Sequence, residues 1–171
     1  MLIYNSSEAI SKYFTMHEVS KSDIASRKYI NNIPTTPVLE AAQALATNIL
    51  DPIRLHFNTA FSPLSWYRCE QIEKILCNEA FITWANRQGL RPTDELVWQQ
   101  YFSRKSHPKG EAADIQLDNM SNDFLYGWIR DNIPTYDQLI REYPKQGDPH
   151  SGWVHVSYSL TNNRKEQLTI K

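Results

Sequence analysis

The sequence predicts an α+β fold in which N-terminal helices pack on a small antiparallel sheet. Two observations lead to this prediction. Apolar residues recur at helical spacing up to about residue 102, whereas after residue 111 they alternate with polar residues, as in strands with one buried face. Because helices come first and strands later, separate helical and sheet layers are favoured over alternating units. The 171 residues suit one domain spanning 1–171, and no repeat or glycine-rich linker divides them.

The first predicted helix is "TPVLEAAQALATNILDPIRLHF", residues 36–57. Thr36 can cap its N-terminus, and Pro37 suits a first helical turn, where its missing N–H would have no partner anyway. Apolar residues follow at the spacing of one helical face as far as Ile53. Pro52 inside this pattern predicts a kink.

Two more helices are predicted before the strands begin. One covers residues 69–86, with Ile72, Ile75 and Leu76 facing inward, and ends near a glycine. The other covers residues 93–102. Together with the first helix they form one helical block.

The second half of the chain predicts one helix and four strands. In "EAADIQLD", residues 111–118, the alternation points Asp114 away from the face that carries Ile115. Ser121 can cap a short helix that reaches about Arg130. The remaining strands are predicted in "YDQLIREY", "GWVHVSYSL" and "EQLTIK", at residues 136–143, 152–160 and 166–171.

The composition limits the classes of partner. The chain has 18 Lys and Arg against 19 Asp and Glu, a net charge of −1, so no overall field attracts nucleic acid or anionic lipid. No segment reaches the length of a membrane span, and the N-terminus lacks the pattern of a signal peptide, which predicts synthesis in the cytosol without a secretion signal of its own. On one helix, Cys69 and Cys77 would lie about 12 Å apart, beyond the reach of a disulfide.

Three residues of the second half suggest a metal site. His107 precedes a turn, Asp114 lies on the next strand, and His155 lies on a later strand, on the face opposite Val154 and Val156. Two imidazoles and one carboxylate are the ligand set of many catalytic zinc sites, which leave a fourth position for water. The alternative is a chance triple of solvated sheet residues. The helical region supplies His17 and His56, which are typical of surface or capping positions.

At these residues the chain resembles a known family. "SHPKGEAADI", followed about forty residues later by "WVHVS", is similar to the Ser-x-His-x-x-Gly-x-Ala-x-Asp and Trp-x-His signatures of the zinc D-Ala-D-Ala carboxypeptidase-like peptidases, which are related to the Hedgehog N-terminal domain. Residues 13–57 resemble the helical N-terminal region of the small, often phage-encoded branch. "LSWYRCEQIEK" resembles its Ser-Gly-Tyr-Arg segment, so the resemblance covers nearly the whole chain.

The resemblance implies a zinc ion (Zn2+) bound by His107, Asp114 and His155. It also implies that Arg68 binds a substrate carboxylate or an oxyanion, a role that suits a planar and permanently charged guanidinium. The alternative for Arg68 is a surface residue at a helix start. Two departures affect the substrate groove: Trp66 replaces the usual glycine, and the segment between the arginine and the first histidine ligand is longer than expected.

The sequence leaves two candidates for the general base. Several relatives place an acidic residue three positions before the last ligand, but Gly152 stands there. His150, five positions before the last ligand, and Glu142, on a neighbouring strand, are the candidates, and either can instead support a ligand. Ser106 and Trp153, each beside a ligand in the sequence, are predicted to contact substrate.

The implied function is hydrolysis of peptide bonds in peptidoglycan, as a D-Ala-D-Ala carboxypeptidase or as an endopeptidase of stem or cross-link peptides. The phage-like resemblance predicts an endolysin, released with a holin, or a virion-associated wall hydrolase that contacts other virion proteins. It would act at the bacterial cell wall or in the periplasm. The alternative is a non-catalytic structural or wall-binding module of the same fold, which the glycine at the usual base position favours.

Overall fold

The computed structural model describes residues 2–171 and shows an α+β fold. The class predicted from the sequence is therefore confirmed. The helices are α1 (Met16–Ser20), α2 (Asp23–Lys28), α3 (Thr36–Leu45), α4 (Asp51–Phe57), α5 (Glu70–Arg87), α6 (Glu95–Phe102) and α7 (Asn122–Asn132). The strands are β1 (Ala112–Ile115), β2 (Gln138–Glu142), β3 (Trp153–Ser157) and β4 (Glu166–Ile170). Within residues 2–171, no helix is both long and apolar enough to cross a lipid bilayer.

The sheet has the order β1-β3-β2-β4 and is mixed, so the prediction of an antiparallel sheet is wrong for one pair of strands. β3 is antiparallel to both of its neighbours, but β4 runs parallel to β2. The cause is the short connection after β3, which ends beside the first residue of β2. Residues 158–165 cross that end of the sheet, and β4 begins there, with Glu166 beside Gln138. An ion pair of 2.6 Å between Arg164 Nε and Asp137 Oδ1 holds the connection in place. β4 must then run in the direction of β2.

The first predicted helix is present but is interrupted before its proline. A π-helical turn, Ala46–Leu50, separates α3 from α4, and the backbone N–H of Asp51 donates to the carbonyl of Ala46, five residues earlier. Pro52 has no N–H to continue regular helical bonding, and the wider turn lies directly before the residue that precedes it. The N-cap is Thr35, one residue earlier than predicted. Buried side chains of α3 and α4, including Ile53, pack against the sheet's apolar face in the main core.

The second predicted helix, α5, contributes much less to that core than its sequence suggests. Ile72 is buried as predicted, but Ile75 and Leu76 are 44% and 49% exposed, so their predicted inward orientation is wrong. The reason is that α5 packs on α6 instead. The two helices form a separate apolar cluster that consists of Phe81, Ala85, Val97, Trp98 and Tyr101. Both cysteines are free thiols, as their predicted spacing required.

β1 is shorter than predicted and both of its faces are buried. Ala113 and Ile115 enter the main core, and Asp114 points to the other face, as the alternation predicted. The face of Asp114 is contacted by His107, His155 and Arg68. Residues 64 and 65 pair with the free edge of β1. The N–H of Leu64 donates to the carbonyl of Asp114, and the N–H of Asp114 donates to the carbonyl of Ser65, at 2.8 and 2.9 Å. This pairing fixes the following segment beside Asp114.

Candidate metal centre

The structure brings together the three metal ligands predicted from the sequence. His107 starts a 3-10 turn after α6, Asp114 lies on β1, and His155 lies on β3. One potential ligand atom from each residue lies within 4.8 Å of the other two, and all three side chains are buried. Asp114 and His155 stand directly opposite each other in the antiparallel register. The three residues therefore form a compact N/O donor set that can hold a metal ion.

The ring of His107 is oriented by a backbone carbonyl. Its Nδ1 lies 2.6 Å from the carbonyl oxygen of Trp66, so Nδ1 carries the proton and donates. The other nitrogen, Nε2, lies 3.2 Å from Oδ1 of Asp114. A histidine that binds metal through one nitrogen usually donates its other N–H in this way.

Trp66, the departure from the glycine of the resembling family, is a structural anchor. Its side chain is fully buried, and its indole Nε1–H donates to the carbonyl of Gly110 at 3.3 Å. Gly110 ends the turn of His107 with a φ of +76°, and a Cβ there would collide with the backbone oxygen of Val38 on α3. The tryptophan and the glycine therefore hold the first ligand against the helical layer. No pattern in the sequence predicts the contact of His107 with the carbonyl of Trp66.

The electrostatics of the cluster favour the protonation states that bind metal. Burial alone would raise the pKa of Asp114, but its charge interactions and hydrogen bonds with His107 and His155 hold that pKa well below the usual range. Burial lowers the pKa of His107. A carboxylate and a neutral imidazole are the forms required for coordination of a metal ion.

Arg68 lies beside the second oxygen of the aspartate ligand. Its Nη2 donates to Oδ2 of Asp114, and its Nε donates to Oγ of Ser65 at 2.8 Å. Its Nη1 lies 3.9 Å from Oε2 of Glu73, a buried residue in the first turns of α5. Sequence reasoning placed Arg68 at the site but found neither the serine nor the glutamate. Nothing in the weakly periodic pattern of α5 marked Glu73 as buried.

A cleft of about 770 Å³ opens on this cluster and contains most of the other predicted site residues. Ser106 and Trp153 line it, as does Glu142. Glu142 Oε1 lies 3.9 Å from Nδ1 of His155. Burial, and then the negative charge of Asp114, raise the pKa of Glu142. A carboxylate with a raised pKa next to a candidate metal site has the properties of a proton acceptor.

His150, the second candidate base, is not brought to the cleft. It is exposed in the loop between β2 and β3, where its backbone N–H donates to Asp148. His17 and His56 are also exposed and do not line the cleft. Among residues 2–171, the predicted site residues that line it are thus the three metal ligands, Arg68, Ser106, Glu142 and Trp153.

The glycine at the expected base position has a structural explanation. Gly152 has a φ of +62°, and a Cβ at this position would collide with the backbone oxygens of Glu142 and Tyr143. A side chain of any kind would therefore separate β2 from β3 at the end of the cleft. The position is unable to carry an acid, and the acid of the cleft comes from β2.

Comparisons of the chain with models of protein families, with curated proteins and with solved structures found no match.

Proposed function

We propose that the protein is a zinc-dependent peptidase that hydrolyses peptide bonds of peptidoglycan, with a fold of the D-Ala-D-Ala peptidase and Hedgehog type. The observation that carries the proposal is the buried set of two histidines and an aspartate at the bottom of a cleft that also contains Glu142. The family signatures in the sequence add the substrate class. They also suggest a phage endolysin or virion-associated hydrolase as the biological context.

In this proposal the ligand set of His107, Asp114 and His155 is the binding site of the zinc ion. Bound zinc supplies a Lewis acid for the scissile carbonyl and makes a water molecule more acidic. Arg68 keeps Asp114 oriented through Oδ2, so that Oδ1 faces the two imidazoles. Trp66 keeps the ring of His107 in the tautomer that offers Nε2.

Glu142 is the proposed general base. It takes the proton of the attacking water at its carboxylate and then gives it to the amine that leaves the cleaved bond. Its position supports this role, because Glu142 lies on the same sheet face as His155, two residues along β2 from Ile140, which stands opposite that histidine. Ser106 and Trp153 line the walls where the peptide would lie.

The test is turnover on purified peptidoglycan with zinc present, followed by mass spectrometry of the fragments. The wild type should release new amino groups. Glu142→Gln should keep its zinc but lose about 10² to 10⁴ in kcat, the usual contribution of a general base. His150→Ala should retain turnover, because this side chain is exposed outside the cleft.

Two outcomes would contradict the proposal. A wild-type protein that carries zinc and sediments with wall material, yet releases no amines, would be the non-catalytic binding module. Full turnover by Glu142→Gln would remove Glu142 as the base, and loss of turnover in His150→Ala alone would transfer that role to His150.

A further inference from the structure

Glu73 is a buried carboxylate for which the proposed reaction has no role. The residue is 1% exposed, and its Oε1 accepts a hydrogen bond from the Cys77 thiol at 3.1 Å. Its Oε2 is buried and has no hydrogen-bond partner among residues 2–171. Burying a polar atom without a hydrogen-bond partner is unfavourable for folding. The burial of this oxygen therefore needs an explanation other than the stability of the fold.

Among residues 2–171, the cationic group within 4.0 Å of that oxygen is Arg68 Nη1, at 3.9 Å. Arg68 thus lies between two carboxylates, that of Glu73 and that of the metal ligand Asp114. Lys105, half-buried in the same wall of the cleft, makes no ion pair within 4.0 Å in the described part of the chain, residues 2–171. It places its Nζ over the ring of Tyr101 instead. Among residues 2–171, Arg68 is therefore the cation within ion-pair distance of Glu73.

This arrangement matters for a cation bound at the cluster. With neutral imidazoles, the only charge of the ligand set is the single negative charge of Asp114, and Arg68 would cancel it. Glu73 restores one negative charge to the group, while its ion pair keeps the guanidinium in place behind Asp114. In a water-poor interior such charges act over several ångströms, because the surroundings screen them less than water does.

We infer that Glu73 is a positioning and charge-balancing residue for the metal centre: it acts through Arg68 and raises the affinity of the His107, Asp114 and His155 set for a divalent cation. The inference depends on the metal site of the proposed function but not on peptidase activity. Groups behind the ligands commonly change metal affinity by about 10-fold to 100-fold when they are replaced. We expect the same range for Glu73.

The test uses Glu73→Gln, which keeps the shape of the side chain and can still accept from Cys77 but removes the charge. The affinity for zinc is measured by competition with a chromophoric chelator, on the full chain at neutral pH. Glu73→Gln should weaken zinc binding about 10-fold to 100-fold. Glu73→Asp, which keeps a carboxylate, should recover part of the loss.

Glu79→Gln is the matched control, since Glu79 is an exposed acid of the same helix and makes no ion pair with residues 2–171. It should bind zinc like the wild type. Thermal unfolding of each metal-free variant shows whether the fold is intact. A role in packing alone would lower the unfolding temperature of Glu73→Gln without changing the zinc affinity of its folded form.

The outcomes separate this inference from the metal site itself. If the wild type binds no zinc, the metal site fails and the inference fails with it. If the wild type binds zinc and a folded Glu73→Gln binds it equally well, the metal site stands and the role of Glu73 is refuted. If Glu73→Asp recovers none of the loss, a carboxylate in this wall of the cleft is not sufficient, and charge balance is refuted as the cause.

Discussion

Zinc binding should stabilise the folded chain, because the three ligands come from separate elements. His107 follows α6, whereas Asp114 and His155 lie on two strands and are 41 residues apart in the sequence. An unfolded chain does not hold them together, so the ion binds the native state almost exclusively. The change to be tested is the removal of one ligand in His155→Ala.

The size of the effect follows from linkage. At a free zinc concentration of 100 times Kd, a ligand specific for the native state adds about 2.7 kcal/mol to the free energy of unfolding. A domain of this length gains about 2 to 4 °C in Tm per kcal/mol, so the wild type should gain about 5 to 11 °C. If the loss of His155 weakens binding about 100-fold, the gain at the same free zinc falls to about 0.4 kcal/mol, or about 1 to 2 °C.

The assay is thermal unfolding followed by circular dichroism, with buffered zinc and with chelator for each variant. Comparing each variant with its own metal-free form removes the direct effect of the substitution on stability. His150→Ala is the control, because its side chain is exposed outside the cleft, and it should show the full gain. An equal gain in His155→Ala and the wild type would mean that zinc binds elsewhere, and no gain in the wild type would refute the metal site.

Two further predictions concern the surroundings of the site. Gly152→Ala should lower the free energy of unfolding by at least about 2 kcal/mol and Tm by about 4 to 8 °C, because it adds left-handed backbone strain and a collision with β2. Gly127→Ala in α7, where a Cβ meets nothing within 4 Å, should instead stabilise by about 0.5 to 1 kcal/mol; a similar loss in both variants would contradict the packing argument. Burial, and then the charge of Glu73, raise the pKa of the Cys77 thiol to about 11, so its alkylation should be slow at pH 8 and accelerate as pH rises toward 11. Glu73→Gln should lower that midpoint when the rate is followed by mass spectrometry, and an unchanged midpoint would show that Glu73 carries no charge there.

The sequence predicted the residues of this site that lie on strands and missed those that lie on α5. Alternation along β1 and β3 directed Asp114 and His155 away from the core without any knowledge of the strand order, because the two faces of a strand are determined by the sequence itself. Helix α5 has no strong apolar face, since it packs partly on α6 and partly along the cleft. Its pattern therefore suggested Ile75 and Leu76 as inward residues and left the buried Glu73 unnoticed.

The choice between the two candidate bases also depended on tertiary structure. His150 was a candidate because it lies five positions before His155, and Glu142 because it lies on a neighbouring strand. Only the register of β2 on β3 could separate them. That register places Glu142 opposite Trp153, on the face of His155, whereas the loop turns His150 outward. The parallel direction of β4 could not be predicted from the sequence either, because it depends on which end of β2 the connection after β3 crosses.

The geometry of the metal centre is finally a consequence of core packing. In the observed register Asp114 stands opposite His155 because Ala113 pairs with Val156 and Ile115 with Val154. These four neighbours are all fully buried in the main core. A slip of one residue between β1 and β3 would place Asp114 opposite a valine and expose apolar side chains of one strand. The apolar surface that would then lose its burial makes this shift unfavourable. The apolar face of the sheet thus holds two metal ligands in contact, and the polar residues around them need only set the charge and orientation of those ligands.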